Sequence, residues 1–541
     1  MTLTTRRNFN KRFLQLMLAG AAGPVLLEQL RFTGESEEEI GAINAVNPEN
    51  LLKKVSGQVQ SFLGEIKPET ELLVPTFLGN DQRRFYGRGI PKSLKQLDRF
   101  ELGSGVTAFR GFLTWSGAGW TGQPTLVKDR GRLYLIIGAF DHSLRKIDLQ
   151  TNEVVWRYKF DDIIKGTATI YLDPTAKDEN QVVVLQGSRL GVRNSVGMAG
   201  PVPSFRAISF RTGKEIWKLN IRRTDSYSRD NDSSAIDLGD MIFNAGENGI
   251  GYFLNRSTRV VEKKDGFIQP QVLGEVRLYE PPDISRHGGN LVAESSPARL
   301  KDNIYFAAGS GHIYGISIPE KKIFWDFYTG SDIDGSVVIS KDEKLFCAIE
   351  RQYIPGNGGV LKLNPQKKPE DSVEWFLPTG NVGFSDWQGG VVGSASINDE
   401  YRDENVPALF ATNAIDGYLY IGSQTMITGK KVKSFLLNRE YDTPVVVFKK
   451  RIGASISTPI FTDGNKLIAG TYNGVYLFNI FYEEGKKGDK NSVMNSKGEY
   501  VRVIVEEAEH FKPGVSFEST PVVWDGIVRI CGRDGWLYTL G

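Results

Sequence analysis

"FRAISFRTGKEIWKLNI", residues 205–221, decides the fold. Two strand-length apolar runs flank a polar turn carrying Thr212, Gly213 and Lys214, and the second run holds a tryptophan. Runs of this length bounded by turn residues read as paired strands. The same layout recurs outward in both directions. "GQPTLVKDRGRLYLIIGAFDHSLRKIDLQTNEVVWRYKF" (122–160) and "AESSPARLKDNIYFAAGSGHIYGISIPEKKIFWDFYTG" (293–330) are full copies, and "FESTPVVWDGIVRICGRDGWLYTLG" (517–541) is a final one. Each copy starts with small residues and valines. An apolar strand, a glycine turn, a second apolar strand, a polar turn and a tryptophan strand follow. Trp156, Trp217, Trp325 and Trp375 hold equivalent places.

The turns repeat in register as "FDHS", "ENGI", "GSGH", "IDGY", "YNGV" and "RDGW". Asp-Gly and Asn-Gly supply the positive φ angles of tight hairpins. A period of roughly 40 to 60 residues built from short strands marks a β-propeller. Each four-stranded blade cannot bury its faces alone; ring closure buries them and protects the edges. About eight units are counted, starting near Trp120, Gly166, Asp232, Glu294, Asp334, Gly389, Ser455 and Ser516. The last unit stops after its third strand, so "VTAFRGFLTW" (106–115) is expected to supply the fourth and lock the ring. The fold class is therefore all-β, with three regions: 1–34 an export signal, 35–103 a helical and irregular extension, and 104–541 the propeller.

The repeat in residues 205–221 resembles that of pyrroloquinoline-quinone-type propellers, a likeness covering about 104–541. That superfamily holds quinoprotein dehydrogenases and non-enzymatic scaffolds, among them the propeller lipoprotein of outer-membrane barrel assembly. Fold does not choose between them. The resemblance implies, for an enzyme, a Glu, an Asn and an Asp around calcium or a lanthanide, with a quinone often stacked on a disulfide of adjacent cysteines. Here the cysteines are Cys347 and Cys531, in different units, each in a strand-like run. They read as two buried structural thiols.

Residues just before each inner strand point toward the propeller axis. They make an acidic set of Asp232, Glu294, Asp332, Asp334, Asp386 and Glu518, with Arg286, His287 and Trp387 nearby. Asp232, Arg286, Glu294, Asp334, Trp387 and Glu518 are the funnel candidates for a cofactor, and Asp232, Glu294 and Asp334 are the candidate calcium ligands, since calcium takes hard oxygen donors. The plain alternative is that these carboxylates bond backbone and water at the blade tops. The histidines lack metal-ligand spacing, and no nucleophile elbow or phosphate loop is present. No catalytic residue is assigned.

The formal net charge of +2 argues against nucleic acid as a partner. The chain begins "TTRRNFNKRF", residues 4–13, followed by the apolar run "FLQLMLAGAAGPVLL". This is a targeting layout. Arg6, Arg7, Phe9 and Lys11 resemble the twin-arginine export signal, with Asn10 in place of the usual Leu. The resemblance implies a bacterial, periplasmic or otherwise exported protein that crosses the inner membrane folded, touching membrane only through that signal. Residues 37–64 read as a helix with Asn47 and Pro48 at a start and Gly64 at its stop. The basic run "NDQRRFYGRGIPKSLKQLDR" (80–99) reads as solvated surface. The expected function is a binding scaffold for an envelope protein or surface partner, its long insertions at 189–204, 257–290 and 483–514 forming loops at one rim. The alternative is a pyrroloquinoline-quinone- and calcium-dependent oxidoreductase of alcohols or sugars.

Overall fold

The computed structural model describes residues 69–108, 111–435 and 439–541. The export signal and the helix expected over 37–64 lie outside the described residues. From residue 70 onward the chain builds eight small antiparallel sheets, each a blade. Blade 1 contains Thr125–Asp129, Arg132–Gly138, Ser143–Asp148 and Glu153–Lys159 in sequential order. Blades 2 to 8 follow, with innermost strands at Thr169–Leu172, Ile236–Asp237, Ala298–Leu300, Val338–Ile339, Ser396–Ile397, Ile460–Thr462 and Val522–Trp524. Apolar clusters fill the gaps between neighbouring sheets. Ile136, Leu144, Val184 and Ile208 join blades 1 and 2, and Leu126, Leu135, Val522 and Leu537 join blades 8 and 1. The core is thus a ring of interfaces that no single blade could bury.

The recurring tryptophan explains part of that packing. It lies on the fourth strand, and its indole N–H crosses to the next blade: Trp156 to Phe210 O (2.8 Å), Trp325 to Lys367 O and Trp375 to Gln424 O (both 3.0 Å). A ring with one polar edge can bury its body and still satisfy its donor.

Closure comes from a different segment than 106–115. Gln96–Glu101 pairs with the last strand, Trp536–Leu540, and completes blade 8. Ser104–Ala108 and Phe112–Ser116 instead pair with one another as a separate hairpin. The register explains the difference: the chain climbs the outer edge of blade 8 antiparallel to its last strand before it reaches residue 104.

Residues 70–95 also belong to the ring. Thr70–Val74 adds a strand inside blade 1, and Gly87–Arg88 pairs parallel with Val523 and Trp524 of blade 8. Between them the segment crosses the central hole. Pro75 O accepts from Ile170 N of blade 2, Asp81 O from Arg299 N of blade 4 and Gln82 O from Ile339 N of blade 5. Tyr86 Oη accepts from Ile397 N of blade 6. Phe77, Leu78, Arg83 and Tyr86 are fully buried. The basic run is therefore not all solvated surface. Arg83 donates to Pro297 O (2.8 Å), Phe77 O (2.8 Å), Thr76 Oγ1 (2.7 Å) and Ser234 O (3.2 Å), which satisfies a guanidinium taken out of water.

Antiparallel alternation sends chain connections to two rims. Turns entering an innermost strand and turns between second and third strands share one rim, here the upper. Turns between third and fourth strands fall on the lower rim. The three long insertions therefore do not gather at one rim: 189–204 is upper, 483–514 is mainly lower, and 257–290 contributes to both. Its lower part is the hairpin Val261–Lys264 with Phe267–Pro270, and its upper part holds the helix Pro281–Arg286. No helix among the described residues is long and apolar enough to cross a membrane.

Candidate functional site

The upper mouth of the ring gathers carboxylates from successive blades. Asp232 precedes the inner strand of blade 3, Glu247 follows its second strand, and Glu294 precedes the inner strand of blade 4. One carboxylate oxygen from each lies within 4.8 Å of the others. Lys165, which precedes the inner strand of blade 2, reaches into this group. Its ammonium pairs with Asp232 and stands 3.6 Å from Glu247 Oε1 and 3.9 Å from Glu294 Oε1. Burial alone would lower its pKa; the three carboxylates outweigh that and hold the ammonium well above its ordinary value. Burial pushes Asp232 up to about 6, and the same cause raises Glu247 and Glu294, with Lys165 opposing in each case.

Asp334 is not in this trio. With Asp332 it leads into blade 5, beside Glu350 at the end of that blade's second strand. Burial raises both Asp334 and Glu350, and Glu350 is pushed up further by the charges of Asp334 and Asp332. Asn290 Nδ2 donates to Asp332 Oδ2 (2.6 Å), and Gln352 Nε2 to Glu350 Oε2 (3.0 Å). Burial and mutual repulsion raise Asp332 and Glu350 well above the ordinary carboxylate range. Tyr227 and Tyr353 stand half-exposed beside these acids. Burial, then the charges of Asp332 and Glu294 among others, raises the Tyr227 phenol; burial and neighbouring acids that include Asp332 and Glu350 raise Tyr353. The Tyr353 ring packs on His287 at 4.6 Å.

The remaining candidates lie elsewhere. Glu518 accepts from Tyr472 Oη (3.0 Å) and pairs with Arg533 (3.4 Å) on the blade 7–8 side. Arg286 is on the short helix, its guanidinium over Tyr328 at 5.8 Å. Trp387 packs against an apolar group of Trp120, Val392, Ile415 and Ile456. Asp386 is exposed. Sequence reasoning missed Lys165, Glu247, Glu350, Tyr227 and Tyr353. For Glu247 and Glu350 a signal existed: each ends a second strand, and that turn faces the same rim as the turn entering an inner strand.

A quinone held by calcium on Asp232, Glu294 and Asp334 does not fit these residues. The ammonium of Lys165 fills the Asp232–Glu247–Glu294 group, Asp334 belongs to the other cluster, and the indole of Trp387 packs against the apolar group of Trp120, Val392, Ile415 and Ile456. Cys347 and Cys531 are buried singly in blades 5 and 8, their thiols raised by burial, Cys531 to about 12.

The class is therefore an eight-bladed β-propeller of four-stranded antiparallel blades with an acidic upper mouth. No family model matches the chain, and no curated protein matches it. Solved structures of similar fold include BamB from Moraxella catarrhalis, 12% identical, covering 83% of this chain and 97% of that one, with a TM-score of 0.45. A europium-containing methanol dehydrogenase is 10% identical over 87% of this chain and 98% of that one, with a TM-score of 0.48. The computationally designed Ika8 protein is 12% identical over 83% and 99%, at 0.45.

Proposed function

We propose that the chain is an exported, non-catalytic binding scaffold of the bacterial cell envelope that grips a protein partner with its upper rim. The observation that carries this is the hairpin 104–116. It pairs with no blade, yet it is fastened to the rim: Arg189 Nη1 donates to Thr107 Oγ1 (2.7 Å), and the His142 ring bonds Val106 O (2.8 Å). It presents Phe112, 74% exposed, with Leu113 and Val106 also in solvent. Apolar side chains held out on a rigid mount are the usual form of a docking element. Export rests on the resemblance of Arg6, Arg7, Phe9 and Lys11 to a twin-arginine signal.

The test is capture of partners from envelope extracts on the tagged chain, side by side with Phe112→Ser/Leu113→Ser. A partner held by the parent and lost by the variant supports the reading. Equal capture by both, or none by either, refutes it. Adding pyrroloquinoline quinone with calcium and following dye reduction by alcohols or aldoses is the control for the oxidoreductase alternative; turnover there would replace the scaffold.

A further inference from the structure

Around the upper mouth stand Asp230, Asp232, Glu247, Glu294, Asp332, Asp334 and Glu350. Among the described residues two cations form ion pairs with them, Lys165 and Arg189, and both sit at the blade 2–3 side: Lys165 against Asp232, Glu247 and Glu294, and Arg189 against Asp230 at 2.6 Å. On the blade 4–5 side, no ion pair among the described residues reaches Asp332, Asp334 or Glu350; Lys165 acts on Asp334 only from a distance, and Arg351 follows Glu350 with its own Nε buried and unpartnered. Three buried acceptors there have no hydrogen-bond donor: Asp332 Oδ1, Asn290 Oδ1 and Glu350 Oε1. Asn290 is 3% exposed and uncharged, so repulsion between acids does not account for its open oxygen. Its Oδ1 and Asp332 Oδ1 converge on one spot: a Cβ added to Gly309 would lie 3.1 Å from the first and 2.8 Å from the second. Buried acceptors are normally satisfied, and their cost is recovered when a donor arrives.

We propose that the Asn290–Asp332–Glu350 half of the mouth is a receptor site for a primary ammonium group, carried by a free alkylamine or by a lysine side chain. Three acceptors match the three N–H donors of an ammonium. The second oxygens are already taken, Asp332 Oδ2 by Asn290 and Glu350 Oε2 by Gln352, which leaves few of the six to eight oxygen ligands that calcium takes. Lys165 shows the chain building this arrangement for itself one blade away. Tyr227 and Tyr353, half-exposed beside the acids, offer ring faces to the alkyl stem and the charge. The inference goes beyond the docking role assigned to the hairpin and does not depend on it.

Calorimetric titration of the full chain tests it, with 1,4-diaminobutane, a lysine-containing peptide and its acetyl-lysine counterpart, tetramethylammonium, and calcium chloride alone. The expected result is saturable binding of the diamine or the lysine peptide. Acetyl-lysine and tetramethylammonium, which lack the three donors, fail to bind. Diamine binding with no peptide binding assigns the site to free amines, and the converse to a lysine side chain. Asp332→Asn and Glu350→Gln each weaken binding by about ten- to a hundredfold. Tyr353→Ala, at a half-exposed ring, weakens it by a smaller factor, with the urea midpoint of the variant measured alongside. Binding of calcium but of no amine overturns the proposal in favour of a metal site. Amine binding unchanged in Asp332→Asn and Tyr353→Ala overturns it too. Loss of envelope capture in the hairpin variant, with amine binding intact, separates the two readings.

Discussion

At one end of the central hole, Phe77, Leu78, Arg83 and Tyr86 are packed with no exposure at all. At the other, Asp232, Glu247 and Glu294 meet around Lys165, and Asp332, Asp334 and Glu350 form a second acidic group beside them. Both ends are ringed by the same innermost strands. The difference lies in what fills them. The lower end receives a segment from outside the repeat, whose one buried guanidinium bonds backbone carbonyls and whose apolar side chains each gain about 1.5–3 kcal/mol by burial. The upper end receives only side chains from the blades' own turns, and these leave acceptors open. A ring of repeats thus yields a sealed, stabilising end and an open, electrostatically costly one.

Arg83→Ala should break the sealed end most severely. It strips donors from Pro297, Phe77 and Ser234 carbonyls and opens a cavity, at a cost of about 4 kcal/mol. A shift of the urea midpoint measures it; a loss under about 1 kcal/mol would mean that the segment is not what seals the ring. Lys165→Met strikes the open end and leaves three carboxylates without their cation. The expected loss is about 3 kcal/mol at pH 8, shrinking at pH 5 as Asp232, Glu247 and Glu294 take up protons. Urea melts at the two pH values check both size and sign.

Asp232→Asn sharpens the comparison through pH. The folded carboxyl is raised from 3.8 to about 6, so the folded chain holds that proton more tightly than the unfolded chain does. Its contribution to stability is complete below about pH 4 and is lost as pH rises through 6, by about 1–3 kcal/mol. Stability of the parent relative to the variant should therefore fall from pH 4 to pH 7. A difference independent of pH would show that the carboxyl is not raised. Phe112→Ser gives the smallest effect. The side chain is mostly in solvent, so the melting midpoint should move by no more than about 0.5 kcal/mol equivalent while partner capture falls. A large stability loss would place Phe112 in the fold rather than in docking.

Much of the ring is readable in the sequence. Turn residues with positive φ stand where the hairpin signals put them, at His142, Gly249, Gly311, Gly417, Gly474 and Gly535. The repeated tryptophans do lie on fourth strands. The closing strand was misplaced because "KQLDRFE" mixes charge with two apolar residues, whereas 106–115 is the more strand-like run; pairing with the C-terminal strand, not propensity, selects between them. Asp232, Glu294 and Asp334 were legible as groups leading into inner strands. Their division into two clusters was not, since it depends on Lys165, a single residue in "IIKGTATI" that no spacing sets apart.

The amino-acid order alone determined the strands, their turns and the number of blades, because those depend on neighbours within a few residues and on a repeat that recurs in register. Only the closed ring decided which acids meet, which lysine answers them and where residues 70–95 go. Each of those contacts joins positions tens to hundreds of residues apart, and curvature of the whole sheet array, rather than any local preference, brings them within bonding distance.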